Sequence, residues 1–256
     1  QHADPEPRAL ARAAYDALRG GDAEGSLYLA QLGERTLDSA TAAATIVPVH
    51  LRALSQMGRV TDAAAVMNAY GHYLRPADRA PLERVLAWGW IRAGDVAKAR
   101  DLLARSDSGD SDAFGWIALY DGDFAAARKS LRPELESSPE ALSALALLAR
   151  TKADKAPVAG QAFLALARGD TAAAASGFEK AASELGDAAP LLLATAARLY
   201  AATHSEPQAI ALWSSIVQKS SDAPEAPEAE LEWARALRRG GQAQAAIEPL
   251  EHLILT

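Results

Sequence analysis

The sequence predicts an all-α protein, an α-solenoid of about seven antiparallel helix pairs with one inserted helix, and three observations lead there. A helix-breaking anchor recurs at Gly21, Gly58, Gly94, Gly122, Gly169, His204 and Gly241, with a period of roughly 34 to 37 residues over most of the chain, the signature of stacked helical repeats. Residue sizes keep step with the anchors. Five residues after them stand Ser26, Ala63, Ala99, Ala127, Ala174, Ala209 and Ala246, and seven before them Ala14, Leu51, Ala87, Gly115, Ala162, Ala197 and Ala234. Two helices that cross closely need small residues on both sides of the contact, with larger ones filling the space around it. Residues four before the anchors, such as Leu54, Trp90, Tyr200 and Leu237, and nine after, such as Met67, Leu103, Phe178, Trp213 and Leu250, supply that bulk. Finally, Ala and Leu dominate a chain that is 50% apolar, and β-branched runs are nearly absent, so propensity favours helix almost everywhere.

Each turn works by residue type. Gly supplies the left-handed backbone that ends the first helix of a pair. The Asp after it, at positions 22, 95, 123 and 170, offers a carboxylate to the free amides that open the second helix. Taken in order, residues 1–7 with Pro5 and Pro7 are a lead-in, followed by helices at 8–19 and 23–37. The second pair starts near Ser39, and Pro48 either sits in an opening turn or kinks a longer helix. A loop at 70–76 precedes a helix begun by Pro81 and ended at Ala93. The acidic run Asp107 to Asp112 is expected to be an exposed, mobile loop that shortens the next helix to 111–120. The anchor spacing falls to 28 residues there and rises to 47 after it, which makes room for an inserted helix at 139–151 and a polar connector at 152–157. Regular pairs follow at 189–203 with 207–220, and 225–239 with 243 to the end. The whole of 1–256 reads as one solenoid, with a division into 1–137 and 138–256 at the insertion as the alternative. Ile254-Leu255-Thr256 provides no polar capping helix, so this end is expected to be cut or covered by another molecule.

With its order of large apolar, small, aromatic, Ala and large apolar positions over two helices, the pattern resembles the tetratricopeptide repeat across residues 7 to 255. It departs from the family where Glu83, Ser111 and Glu230 replace the first large residue and where the terminal Pro is mostly missing. The resemblance implies a right-handed superhelix that binds a partner in a concave groove lined by the first helix of each pair. Carried onto this chain, the family's groove offsets select Arg8, Arg12, Arg19, Arg52, Arg84, Arg92, Arg198, Arg235, Arg238 and Arg239, against only Asp112, Glu228 and Glu232. Six residues before the anchors they also select Tyr15, Trp88, Trp116 and Phe163, a column of aromatics expected to pave the groove. The Asn residues of the family's carboxylate clamp are missing, so recognition of chaperone tails is not implied.

Composition bounds the function. A net charge of −7 disfavours nonspecific binding to nucleic acid or anionic membranes. No stretch approaches the ~20 apolar residues of a membrane span. Without Cys, disulfides, thiolate catalysis and Cys-ligated zinc are excluded. His2, His50, His72, His204 and His252 stand in unrelated contexts, the glycines are single, and no nucleophile elbow is present, so no catalytic, cofactor or metal residues are assigned. His50 lies on an inward helix face, and the acidic loop lacks the Gly and closing Glu of a calcium site. The start at Gln1 and the lack of Cys fit a processed chain or an excised fragment, with a periplasmic or secreted location favoured over a cytoplasmic one, and Arg outnumbers Lys 20 to 6 as in GC-rich bacterial genomes. The expected function is a noncatalytic scaffold in a bacterial envelope or secretion assembly. It would hold a protein or peptide segment, acidic by complementarity, in a groove of Arg12, Tyr15, Arg19, Arg52, Arg84, Trp88, Arg92, Trp116, Phe163, Arg198 and Arg235. A structural module docking end to end on further repeats, and a polysaccharide-associated repeat module using the aromatics as sugar platforms, are the alternatives.

Overall fold

In the computed structural model, which describes residues 7–105, 110–131 and 139–255, each described residue with left-handed backbone is one of the seven turn anchors. Their φ angles run from +59° at His204 to +85° at Gly21. In every copy the anchor's N–H donates to the carbonyl three residues back, and the next N–H reaches the carbonyl four residues before the anchor. Gly94 to Ile91 at 3.0 Å and Asp95 to Trp90 at 2.9 Å are one instance. This two-bond closure satisfies the carbonyls that a helix end leaves orphaned. The carboxylates of Asp22, Asp95, Asp123 and Asp170 then accept from Gly25, Lys98, Ala126 and Ala173, which opens the following helix.

The described residues contain sixteen α-helices, packed in sequential pairs and divided between two compact units, one running through Ala113 and the other from Phe114 onward. The first unit holds α1 (Pro7–Arg19), α2 (Ala23–Thr36), α3 (Ser39–Thr45), α4 (Val47–Gln56), α5 (Val60–Tyr70), α6 (Pro76–Arg92) and α7 (Val96–Arg105). Here α1 packs on α2, α4 on α5 and α6 on α7, while α2 and α4 join successive pairs. Leu10, Ala14, Ala30, Ile46 and Val49 form the first core cluster. Pro48 starts α4 after a break at Ile46, so the second pair's first arm is two short helices rather than one kinked one. One expected boundary is corrected: α6 begins at Pro76, not Pro81. Arg75 is extended (φ −67°, ψ 151°) and Pro76 occupies the first helical turn, where its missing N–H costs nothing, so Pro81 sits inside the helix at the expense of a single backbone bond. Glu83, at a position where the repeat pattern expects a large apolar residue, is buried and held by Arg79 Nε at 2.8 Å.

Helix α8 (Ser111–Asp121) leads into the second unit, which contains α9 (Phe124–Ser130), α10 (Pro139–Arg150), α11 (Pro157–Ala167), α12 (Thr171–Glu184), α13 (Ala189–Ala202), α14 (Glu206–Lys219), α15 (Ala226–Arg239) and α16 (Ile247–Leu255). Helices α11 to α16 pack each on the next, whereas α10 lies outside that alternation and touches α9 and α13. The connector after α10 is pinned by Arg128, whose guanidinium donates to the carbonyls of Leu148 (3.0 Å), Thr151 (2.9 Å) and Ala153. Ala156 N–H also bonds the Gly122 carbonyl at 2.8 Å. The chain runs so close there that a Cβ on Gly122 would lie 2.5 Å from Pro157 Cα. Gly115 is needed for a similar reason, since a Cβ would meet the Leu131 side chain and Ser130 Cβ at 2.9 Å.

Residue size explains the packing in both units. All seven residues five after the anchors and all seven residues seven before them are buried. Of the positions nine after, six are buried and Leu250 is 37% exposed. The last copy differs because Gln242 is followed by tight turns, with Ala246 and Ile247 bonding three residues back at 3.3 Å, so α16 begins at Ile247 rather than at the expected Ala243. Of the expected lead-in at 1–7, Pro7 instead opens α1 and residues 1–6 lie outside the described residues, as do 106–109 at the acidic loop.

Candidate functional site

The expected groove residues separate into three environments. On α1, Arg8, Arg12, Tyr15 and Arg19 are spaced i, i+4, i+7 and i+11, which puts them on one helix face. Tyr15 is half-buried, and its hydroxyl accepts from Arg52 Nη1 on α4 at 2.9 Å. That guanidinium lies 5.8 Å from the Tyr15 ring centroid and also donates to the Pro48 carbonyl. Beside the stripe is a cavity of about 430 Å³, walled by Arg8, Arg12, Tyr15, Asp16, Arg19 and Thr45. Arg8, Arg12 and Arg19 are exposed and have no ion-pair partner among the described residues.

On α6 the expected trio of Arg84, Trp88 and Arg92 comes together, and a carboxylate is already there. Asp110 accepts the Trp88 indole N–H at 3.0 Å, lies 3.7 Å from Arg84 Nε and accepts the Ala113 amide at 3.2 Å. The Arg92 guanidinium stands 6.0 Å from the Trp88 ring. The acid that the sequence pattern seeks in a partner is thus supplied in this place by the chain itself.

In the second unit the expected site residues are core or paired, except Arg238, which is exposed with no ion-pair partner among the described residues. Trp116 and Phe163 are buried, with Trp116 5.9 Å from the Tyr120 ring and Phe163 edge-on to Phe178 at 4.9 Å. The expectation that these two pave a groove is corrected: their rings fill the space beside the helix crossings. Arg198 donates to Glu228 through two nitrogens, at 2.7 Å from Nε, and Arg235 to Glu232 at 2.6 Å. Arg239 pairs with Glu206 at 2.8 Å, which raises its pKa further. Glu206 escaped the sequence reading because it opens the second helix of its pair, outside the family's groove offsets; its signal is a carboxylate 33 residues, about one repeat, before an Arg.

Other titratable groups are structural. His50 is buried, as its helix face predicts, and its Nδ1 lies 2.6 Å from Glu34 Oε1. Burial, and then the neighbouring Glu34 charge, push the Tyr70 phenol up. Among the described residues no cluster of His, Asp and Glu has the grouping to hold a metal ion, and no helix is long and apolar enough to cross a membrane.

The chain matches no protein-family model and no curated protein. Among solved structures it is similar to a Signal Transduction ATPase with Numerous Domains (STAND) protein with a tetratricopeptide repeat sensor from Pyrococcus horikoshii. The identity is 15% and the TM-score 0.36, and the match covers 97% of this chain and 41% of that one.

Proposed function

We propose that this chain is a tetratricopeptide-like α-solenoid and a noncatalytic protein-interaction module, which holds a partner segment along the exposed faces of the first helices of its pairs. The observation that carries the reading is the turn repeated seven times with the same two hydrogen bonds, in register with the same small-residue crossing. A repeat built this way spends its small residues on packing helices and leaves the exposed side of each first helix as the variable surface. In this chain that side carries Arg12, Arg19, Arg84 and Arg92 in the open. The envelope or secretion setting rests on composition alone, the lack of Cys and the excess of Arg over Lys.

Photo-crosslinking tests the reading. A crosslinkable residue at position 12 or 92, on first helices, is expected to capture a partner protein in cells. The same group at Tyr28, on α2 and 67% exposed, is expected to capture none. Capture from Tyr28 alone refutes the assignment of the face. A second reading, docking onto another copy or further repeats through α16, is favoured by the exposure of Ile247 (42%) and Leu250 (37%) on one helix. Self-crosslinks from position 247 would support it.

A further inference from the structure

Arginines at the family's groove positions occur throughout the chain, and four of the ten already hold or face a carboxylate. Arg84 faces Asp110, Arg198 holds Glu228, Arg235 holds Glu232 and Arg239 holds Glu206. Four times, then, a guanidinium on a first helix takes a carboxylate from its own chain. On α1 the same kind of residue recurs as Arg8, Arg12 and Arg19, and no described carboxylate bonds any of them. Asp16 is the one acid that lines the adjoining cavity. Arg52 on α4 spends donors on the Tyr15 hydroxyl and the Pro48 carbonyl. A second cavity of about 500 Å³ shares Arg8 and Thr45 with the first and continues over Ala40, Thr41 and Ala44, small side chains over which a peptide backbone can lie.

We infer that the α1 face is a binding site for an acidic segment of a partner protein; the inference rests on the protein-interaction reading above. Helical rise sets the spacing of the ligand's charges. Arg8 and Arg12 are about 6 Å apart along α1 and Arg12 and Arg19 about 10 Å, at ~1.5 Å per residue. An extended peptide advances ~3.3 Å per residue, so carboxylates two and then three residues apart match the stripe. Forked guanidinium donors suit carboxylates, and the Tyr15 ring offers a flat contact between Arg12 and Arg19. With a net charge of −7 the rest of the molecule repels extended polyanions, so a short acidic segment is favoured over nucleic acid or an anionic bilayer.

The test is fluorescence anisotropy with a labelled peptide bearing three Glu at that spacing, and with its twin in which each Glu is Gln. The Glu peptide is expected to bind at least about tenfold more tightly than the twin, and to weaken as salt rises. An Arg12→Glu, Arg19→Glu double variant, its fold checked by circular dichroism, is expected to lose binding by about tenfold or more. An Arg198→Gln, Arg235→Gln variant is expected to change it by less than about twofold, because those guanidinium groups are already engaged. Equal affinity for the two peptides overturns the inference, as does retained binding in the α1 variant or equal loss in the α13 and α15 variant. Capture of phosphatidylserine vesicles but not phosphatidylcholine ones, with no peptide binding, overturns it in favour of a membrane surface. If photo-crosslinking at position 92 still captures a partner in the α1 variant while the peptide fails, the acidic-segment inference falls and the interaction reading stands.

Discussion

Ser26 occupies a position where the other six copies carry Ala. It is fully buried on α2, which packs on α1, where Ala14 is equally buried, and its hydroxyl has no hydrogen-bond partner among the described residues. Ser26→Ala removes a desolvated, unpaired hydroxyl, worth about 1–3 kcal/mol, and adds a few tenths of helix propensity. The void left by one oxygen returns only a few tenths at ~24 cal/mol per Å³. The variant should therefore be more stable by about 1–2 kcal/mol, whereas Ala174→Ser at the matching crossing of α11 and α12 should be less stable by a similar amount. Urea unfolding followed by circular dichroism reads both. With a slope of roughly 1–3 kcal/mol per molar, midpoints should move by about 0.5 M in opposite directions. A Ser26→Ala protein that unfolds at the same or lower urea would refute the reasoning, since it would mean that the hydroxyl finds a partner or that its volume is needed.

Three other outcomes follow from the same geometry. His204 is the one anchor that is not Gly, at φ +59°, so His204→Gly should raise the stability of the second unit by about 0.5–1 kcal/mol in thermal melts; a drop would show that the imidazole makes a compensating contact. Arg128→Ala leaves the carbonyls of Leu148, Thr151 and Ala153 without their donor, and should cost about 2–3 kcal/mol while speeding amide exchange at residues 151–156, with unchanged exchange telling against the pin. The Lys152 amide, and to a lesser degree the Thr151 hydroxyl, hold the Asp187 carboxyl below its ordinary pKa. A depressed folded-state pKa means that the native state binds fewer protons than the unfolded one, so this stabilisation is present above about pH 4 and disappears as pH falls through the folded value. The stability gap between wild type and Asp187→Asn should accordingly be open at neutral pH and close in acid; a gap of constant size across that range would refute it.

Much of this protein was determined by sequence alone because the deciding physics is local. A left-handed residue at each anchor, an Asp after four of them ready to cap the next helix, and small residues at nearly every crossing position are all properties of single residues at fixed offsets. The inserted helix from Pro139 was legible in the same way, from a Pro-led apolar run that falls outside the period. The misplaced boundaries at Pro81 and Ala243 arose where an equally good local start lay a turn away, at Pro76, or where the chain after Gln242 makes tight turns before the helix opens. Only tertiary structure decided which side chains at the candidate surface are open to a partner. Tyr15, Trp88, Trp116 and Phe163 share one offset, yet the first two are half-buried and the last two are core: α12 brings Phe178 edge-on against Phe163, and Trp116 is buried with Tyr120 of its own helix beside it. Arg12 and Arg198 are likewise both selected by the groove offsets, nine and six residues before their anchors. A carboxylate 30 residues onward, on the adjacent first helix, reaches Arg198 and none among the described residues reaches Arg12, and that reach is set by the distance and angle between packed helices rather than by any residue in the local sequence.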